Sequence, residues 1–195
     1  MSKSDPSASK KQRNKTICWV VIIFFVTILV SGMISLISEE IMDGSSILVA
    51  FIILLIIVFI GIIFDVIGVA VTSADESPFH AMAARKVPGA RESIKLLRQA
   101  EKVSSICNDV VGDICGVVSG SASATIAVQL LQNFEVSWPR IISLLMSAFV
   151  AGLTVGGKAI GKTFAVNSST NIVHFVGKVI WWLSDLPTAF RQHKK

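Results

Sequence analysis

This sequence is short of charge. Charged residues make up 16% of its 195 positions, against about a quarter in an average soluble domain. The deficit is gathered into long uncharged runs, and mean hydropathy is +0.70. That pattern argues against an ordinary soluble core and for membrane spans. Cysteine is also scarce. Cys18, Cys107 and Cys115 lie in or at the edge of apolar segments, with no C-x-x-C pair and no Cys/His spacing suited to zinc. A disulfide framework and thiol catalysis are not expected, and the thiols read as small buried apolar groups. The catalytic signatures of soluble enzymes are missing too: there is no G-x-S-x-G, no P-loop and no H-E-x-x-H. His80, His174 and His193 are scattered through polar or interfacial stretches and read as surface residues. An enzyme is therefore not expected, and no catalytic residue or organic-cofactor site is assigned.

What the chain does have is a succession of apolar runs. Residues 1–16 are polar, with Lys3, Lys10, Lys11, Arg13 and Lys15 outweighing Asp5. They read as a disordered basic cytoplasmic tail. Residues 17–38 carry no charge and are long enough for a bilayer core, which takes about 20 helical residues. With no A-x-A-like cleavage site, this run reads as an uncleaved transmembrane helix rather than a signal peptide. A short acidic loop with Glu39, Glu40, Asp43 and Gly44 follows. The second span is expected over Ile47–Thr72, interrupted only by Asp65.

Residues 73–103 form the largest polar stretch, broken by Pro78 and by Pro88-Gly89. Two short interfacial helices are expected there. One starts at Ser77-Pro78; the other covers 90–103, with Ile94 and Leu97 on one face. The third span is placed over 104–131, an outer loop over 132–139 and the fourth span over 140–160. In residues 166–195, Ile172, Phe175, Val176, Val179, Ile180 and Leu183 recur at helical spacing beside Trp181 and Trp182. This is the pattern of an amphipathic juxtamembrane helix lying along the bilayer. The expected fold is an all-α membrane protein of about four transmembrane helices, with short cytoplasmic interfacial helices and a C-terminal juxtamembrane helix.

The net charge of +5 does not argue for nucleic acid, because the basic residues flank spans instead of forming one stripe. With the N-terminus inside and four alternating spans, only Arg140 among the basic residues falls outside. Lys and Arg bias sets orientation, so a multi-pass plasma-membrane protein with both termini cytoplasmic is expected, in contact with the lipid bilayer.

Ionisable groups within spans are costly and ask for a reason. Asp65 lies in the second span. Asp109 and Asp113 lie four apart near the start of the third, on one helical face, with Asn108 beside them. Lys158 and Lys162 lie at the end of the fourth. Three readings stand. Asp113 or Asp65 pairs with Lys158 while Lys162 snorkels to water. Alternatively, Asp65, Asn108, Asp113 and nearby Ser73 or Ser119 supply oxygens to a hard cation such as Mg²⁺. A proton relay is the third. Glycine ladders run through Gly112, Gly116 and Gly120, through Gly152 and Gly156, and through Gly157 and Gly161; they allow close helix approach or a homodimer seam. Ser119, Ser121, Ser123 and Thr125 are expected to bond their own helix backbone.

The order of segments resembles the transmembrane domain of the CNNM/CorB/CorC family of divalent-cation transporters. The resemblance is carried by Phe64-Asp65-Val66-Ile67-Gly68-Val69-Ala70-Val71-Thr72-Ser73, by Ala90-Arg91-Glu92-Ser93-Ile94-Lys95-Leu96-Leu97, by Gly112-Asp113, and by Gly157-Lys158-Ala159-Ile160-Gly161-Lys162-Thr163-Phe164-Ala165. It places a family-like domain over 47–165, preceded by an extra first span and followed by the juxtamembrane helix. It implies a homodimer that takes Mg²⁺ as bound or transported ion through Ser, Asn and backbone oxygens. By position, the Ser site falls on Asp65 and the Asn site on Asp113. Spacing before Gly112 differs from the family's, which makes Asn108 a second candidate. The implied metal set is Asp65, Asp113, Asn108 and Ser73. The chain departs from the pattern where Asp65 replaces Ser, Asp113 replaces Asn, Gly68 and Lys158 replace Glu, and Gly161 replaces Pro. The sequence ends before any nucleotide-binding CBS modules, so regulation of that kind is not expected. The leading expectation is divalent-cation transport. The alternative is a non-transporting scaffold or accessory subunit with an internal Asp–Lys ion pair.

Overall fold

The computed structural model describes residues 6–42, 44–133 and 138–192. The expectations for Met1–Asp5, Asp43, the outer loop at 134–137 and His193 fall outside the described residues. Among the described residues, four helices are long and apolar enough to cross a membrane: Trp19–Met42, Ile47–Ser73, Ala100–Asn133 and Pro139–Asn167. The described residues contain no strand, so the protein is an all-α membrane protein. Helix α1 spans Pro6–Met42 and α2 spans Ile47–Ser73. The short helices α3 (Ser77–Ala84), α4 (Ala90–Arg98) and α5 (Ala100–Ser105) follow. A π-helical segment over Ile106–Gly112 leads into α6, Asp113–Asn133. Helices α7 (Pro139–Asn167) and α8 (Ser169–Gln192) follow.

Several boundaries differ from expectation: Glu39 and Glu40, expected in an acidic loop, continue α1 to Met42, and α7 runs to Asn167 where the fourth span was expected to end at 160. Helix α1 begins at Pro6, within the stretch expected to be disordered. Pro suits a first helical turn, and the Ala, Lys, Gln and Arg residues that follow are helix formers, with no Gly before Gly32. The helix expected over 90–103 is broken at Gln99, whose φ of −119° leaves the helical region. Its second half, α5, joins the third span instead. The expected Pro-initiated start of α3 is present.

Helix α2 is the central element, in contact with α5, the π-helical segment, α6, α7 and α8. Its buried residues Ala50, Leu54, Val58, Gly61, Asp65 and Gly68 fall at steps of three and four, which makes one stripe. The half of the bundle around Met42 closes over Met42, Leu54, Val58, Ala122, Ile126 and Val150. The opposite half closes over Ala70, Val71, Phe79, Leu97, Ala165 and Val173. Asp65 and Gly68 lie between these two apolar clusters.

Close approach depends on absent side chains. A Cβ at Gly61 would stand 2.8 Å from Cys115 Cβ, and one at Gly161 would stand 2.7 Å from Val66 Cγ2. Gly157 receives Ile62 in the same way. Gly116, Gly120, Gly152 and Gly156 meet nothing within 4 Å. One of the three glycine ladders is thus used to seat α7 on α2. Ser119, Ser121, Ser123 and Thr125 bond carbonyls of their own helix, as expected. Helix α1 touches α6 far more than α2, and its C-terminal end is pinned where Gln129 Nε2 donates to the Met42 carbonyl at 3.0 Å.

At the other end, α8 crosses α4 at close range. Gly89 has φ +83°, and a Cβ there would stand 2.5 Å from the Lys178 backbone nitrogen. Glycine is required on both counts. Ser93 is fully buried at this crossing and its hydroxyl donates to the carbonyls of Gly89 and Val173.

Candidate functional site

The candidate centre lies where α2, the π-helical segment and α7 meet. On α2 it is about 12 Å from the Ser73 end, at a rise of 1.5 Å per residue. Asp65 retains 4% of its surface. Its Oδ1 is 3.8 Å from Lys158 Nζ on α7, and its Oδ2 has no hydrogen-bond partner among the described residues. A separation of 3.8 Å is a charge–charge contact and not a hydrogen bond. Lys158 keeps 21% of its side-chain surface. Its Nζ passes over Gly112, 3.3 Å from where a Cβ would be.

Asn108 supplies the second orphan. It belongs to the π-helical segment, a rare geometry that recurs at functional sites. Its Nδ2 donates to Ser104 Oγ at 3.1 Å, which turns Oδ1 the other way. That oxygen is buried, has no donor among the described residues, and rests on the bare backbone of Gly68. A Cβ at Gly68 would collide with it. Asp65 and Gly68 are three residues apart on one helix face, so Asp65 and the Asn108 oxygen meet the same stretch of α2. Buried acceptors left without a donor are uncommon and costly.

The other expected ligands are elsewhere. Asp113 is exposed on α6, and Ser73 is exposed at the end of α2. Ser119 is buried but its hydroxyl is committed to the Gly116 carbonyl. Asp109 is exposed and accepts from Ser105 Oγ at 2.8 Å. Of the pairings left open by the sequence, Lys158 contacts Asp65, and Lys162 is exposed. Cys107 is buried and Cys115 half-buried. His174 is half-buried on α8, and its Nε2 has no partner among the described residues. No group of three or more His, Cys, Asp or Glu side chains with metal-binding geometry occurs among the described residues.

Asp65 Oδ2 and Asn108 Oδ1 are hard oxygen donors. One carboxylate and one amide oxygen, with the remaining positions filled by water, fit the way Mg²⁺ is commonly held. The obstacle is Lys158, which already offers its positive charge to Asp65. Sequence reasoning missed the role of Gly68 as the floor under Asn108 and the π-helical register that aims Asn108 there. Nothing local in Ile106–Gly112 marks that register. In comparisons with known proteins, the chain matches no family model and no curated protein sequence.

Proposed function

We propose that the chain is a cation-transport-type integral membrane protein whose ion-binding centre is Asp65 backed by Asn108. The observation that carries this reading is a pair of buried oxygens without a donor among the described residues, Asp65 Oδ2 and Asn108 Oδ1, at one stretch of a membrane helix. An ionisable group at membrane depth is a functional candidate by default. The cargo that fits the family resemblance is a divalent, Mg²⁺-like ion. In this reading the protein is a carrier and not an enzyme, sits in the plasma membrane with both termini cytoplasmic, and works as a homodimer. The distribution of Lys and Arg supports the orientation.

A second reading has its own observation. The Asp65–Lys158 contact suits a scaffold or accessory subunit with a self-neutralised core, and Asp113 stands apart from that core. The two readings separate on thermal stability in detergent, measured against Mg²⁺ for wild type, Asp65→Asn and Asn108→Ala. Ligand binding to the native state stabilises by mass action, by about 2.7 kcal/mol at a hundredfold excess over Kd. The transport reading expects a saturable Mg²⁺-dependent rise in Tm that both substitutions abolish. A flat titration in wild type and in Lys158→Met, with Asp65→Asn less stable by about 3 kcal/mol because Lys158 is left unpaired, would favour the scaffold instead.

A further inference from the structure

The centre already holds a cation, and it belongs to the chain. Lys158 Nζ faces Asp65 Oδ1 at 3.8 Å, longer than a closed ammonium–carboxylate hydrogen bond. Asp65 Oδ2 is left without a partner among the described residues. The two members of the pair differ in freedom: the side chain of Asp65 keeps 6% of its surface and that of Lys158 keeps 21%. Lysine is a hydrated point charge on a flexible stem, and such stems carry the charge to the interface when it is near. Lys162, one turn further along α7, is exposed. On its Gly112 side no side chain confines Lys158, because Gly112 presents only backbone.

We propose that Lys158 is a tethered competitor of the transported cation. With no ion bound, its ammonium neutralises Asp65. An incoming ion takes the oxygens of Asp65 and Asn108, and the ammonium swings along α7 toward the end of the bundle that carries α3, α4 and α5. The paired and ion-bound states exclude one another. Asp65 therefore has a positive partner in both, and an uncompensated buried carboxylate, which would be strongly destabilising, never forms. An empty centre that stays neutral is also the form that costs least inside a low-dielectric bundle. This rests on the reading of Asp65 and Asn108 as an ion-binding centre and adds how that centre is emptied.

The test uses the intact wild-type protein in detergent, titrated with MgCl₂. At each step Tm is measured, and a water-soluble amine-acylating reagent labels exposed lysines, with Lys158 and Lys162 quantified by mass spectrometry. Labelling of Lys158 is expected to rise several-fold over the same Mg²⁺ range that raises Tm, with Lys162 unchanged. Lys158→Met is expected to tighten apparent Mg²⁺ affinity about tenfold, the factor lost when a competent state is only about 10% populated. Suppose Mg²⁺ raises Tm in wild type and not in Asp65→Asn, yet Lys158 labelling stays flat. The ion-binding centre then stands and the competitor role is overturned, whether or not Lys158→Met folds. Absence of any Mg²⁺ response in both wild type and Lys158→Met overturns the ion-binding reading, and this proposal with it.

Discussion

At the scale of single residues, the polar centre depends as much on a missing side chain as on those present. Asn108 Oδ1 rests on Gly68, and that contact yields a substitution separating binding from stability. Gly68→Ala adds a Cβ that Asn108 must vacate. Alanine improves a helix interior by about 1 kcal/mol over glycine, and a displaced rotamer costs about 0.5–1.5 kcal/mol. The two nearly offset. Tm is expected to stay within a few degrees of wild type while the Mg²⁺-dependent rise disappears. An intact Mg²⁺ response in Gly68→Ala would remove Asn108 from the centre.

At the scale of elements, equal-looking glycines do unequal things. Helix α7 seats Gly157 and Gly161 against Ile62 and Val66, and leaves Gly152 and Gly156 facing open space. The α4–α8 crossing is tighter still. A Cβ at Gly177 would collide with Ser93 Oγ and stand 2.6 Å from the Gly89 carbonyl oxygen. The carbonyl is backbone and cannot rotate aside. Gly177→Ala should therefore lift α8 from α4 and cost about 1–3 kcal/mol, as overpacking does. Thermal unfolding and faster proteolysis in the Arg85–Gly89 turn would register it. Gly156→Ala is the control and should be neutral or slightly stabilising. Equal losses in the two variants would mean that α8 does not hold the crossing closed.

At the scale of the whole molecule, the bundle has a polar layer between two apolar clusters, with short helices gathered at one end. The orientation proposed from basic residues makes that end cytoplasmic. Replacing Cys18, Cys107 and Cys115 by alanine and placing one cysteine at Ser45 or at Arg91 tests it. A membrane-impermeant thiol reagent added to intact cells should label Ser45→Cys and spare Arg91→Cys until the membrane is opened. Labelling of both from outside would break the proposed alternation of spans.

Composition and periodicity alone determined the class of this protein. Uncharged runs of spanning length permit few alternatives in a bilayer, where backbone polar groups must be satisfied within a helix; α2 accordingly lies where the sequence places it, and α7 starts there but runs on to Asn167. The buried face of α2 is less legible, because a membrane helix is apolar all round and carries little amphipathic signal. Asp65 could be flagged from sequence by its cost in a span. Its partner could not, since Asp113 and Asp65 were equally placed candidates for Lys158. Tertiary structure decided that choice. The π-helical segment sets Asn108 against Gly68, Gly157 and Gly161 bring α7 onto α2 with Lys158 reaching Asp65, and Asp113 is left exposed. Such choices depend on helix rotation and crossing between segments distant in the chain, which no local pattern encodes.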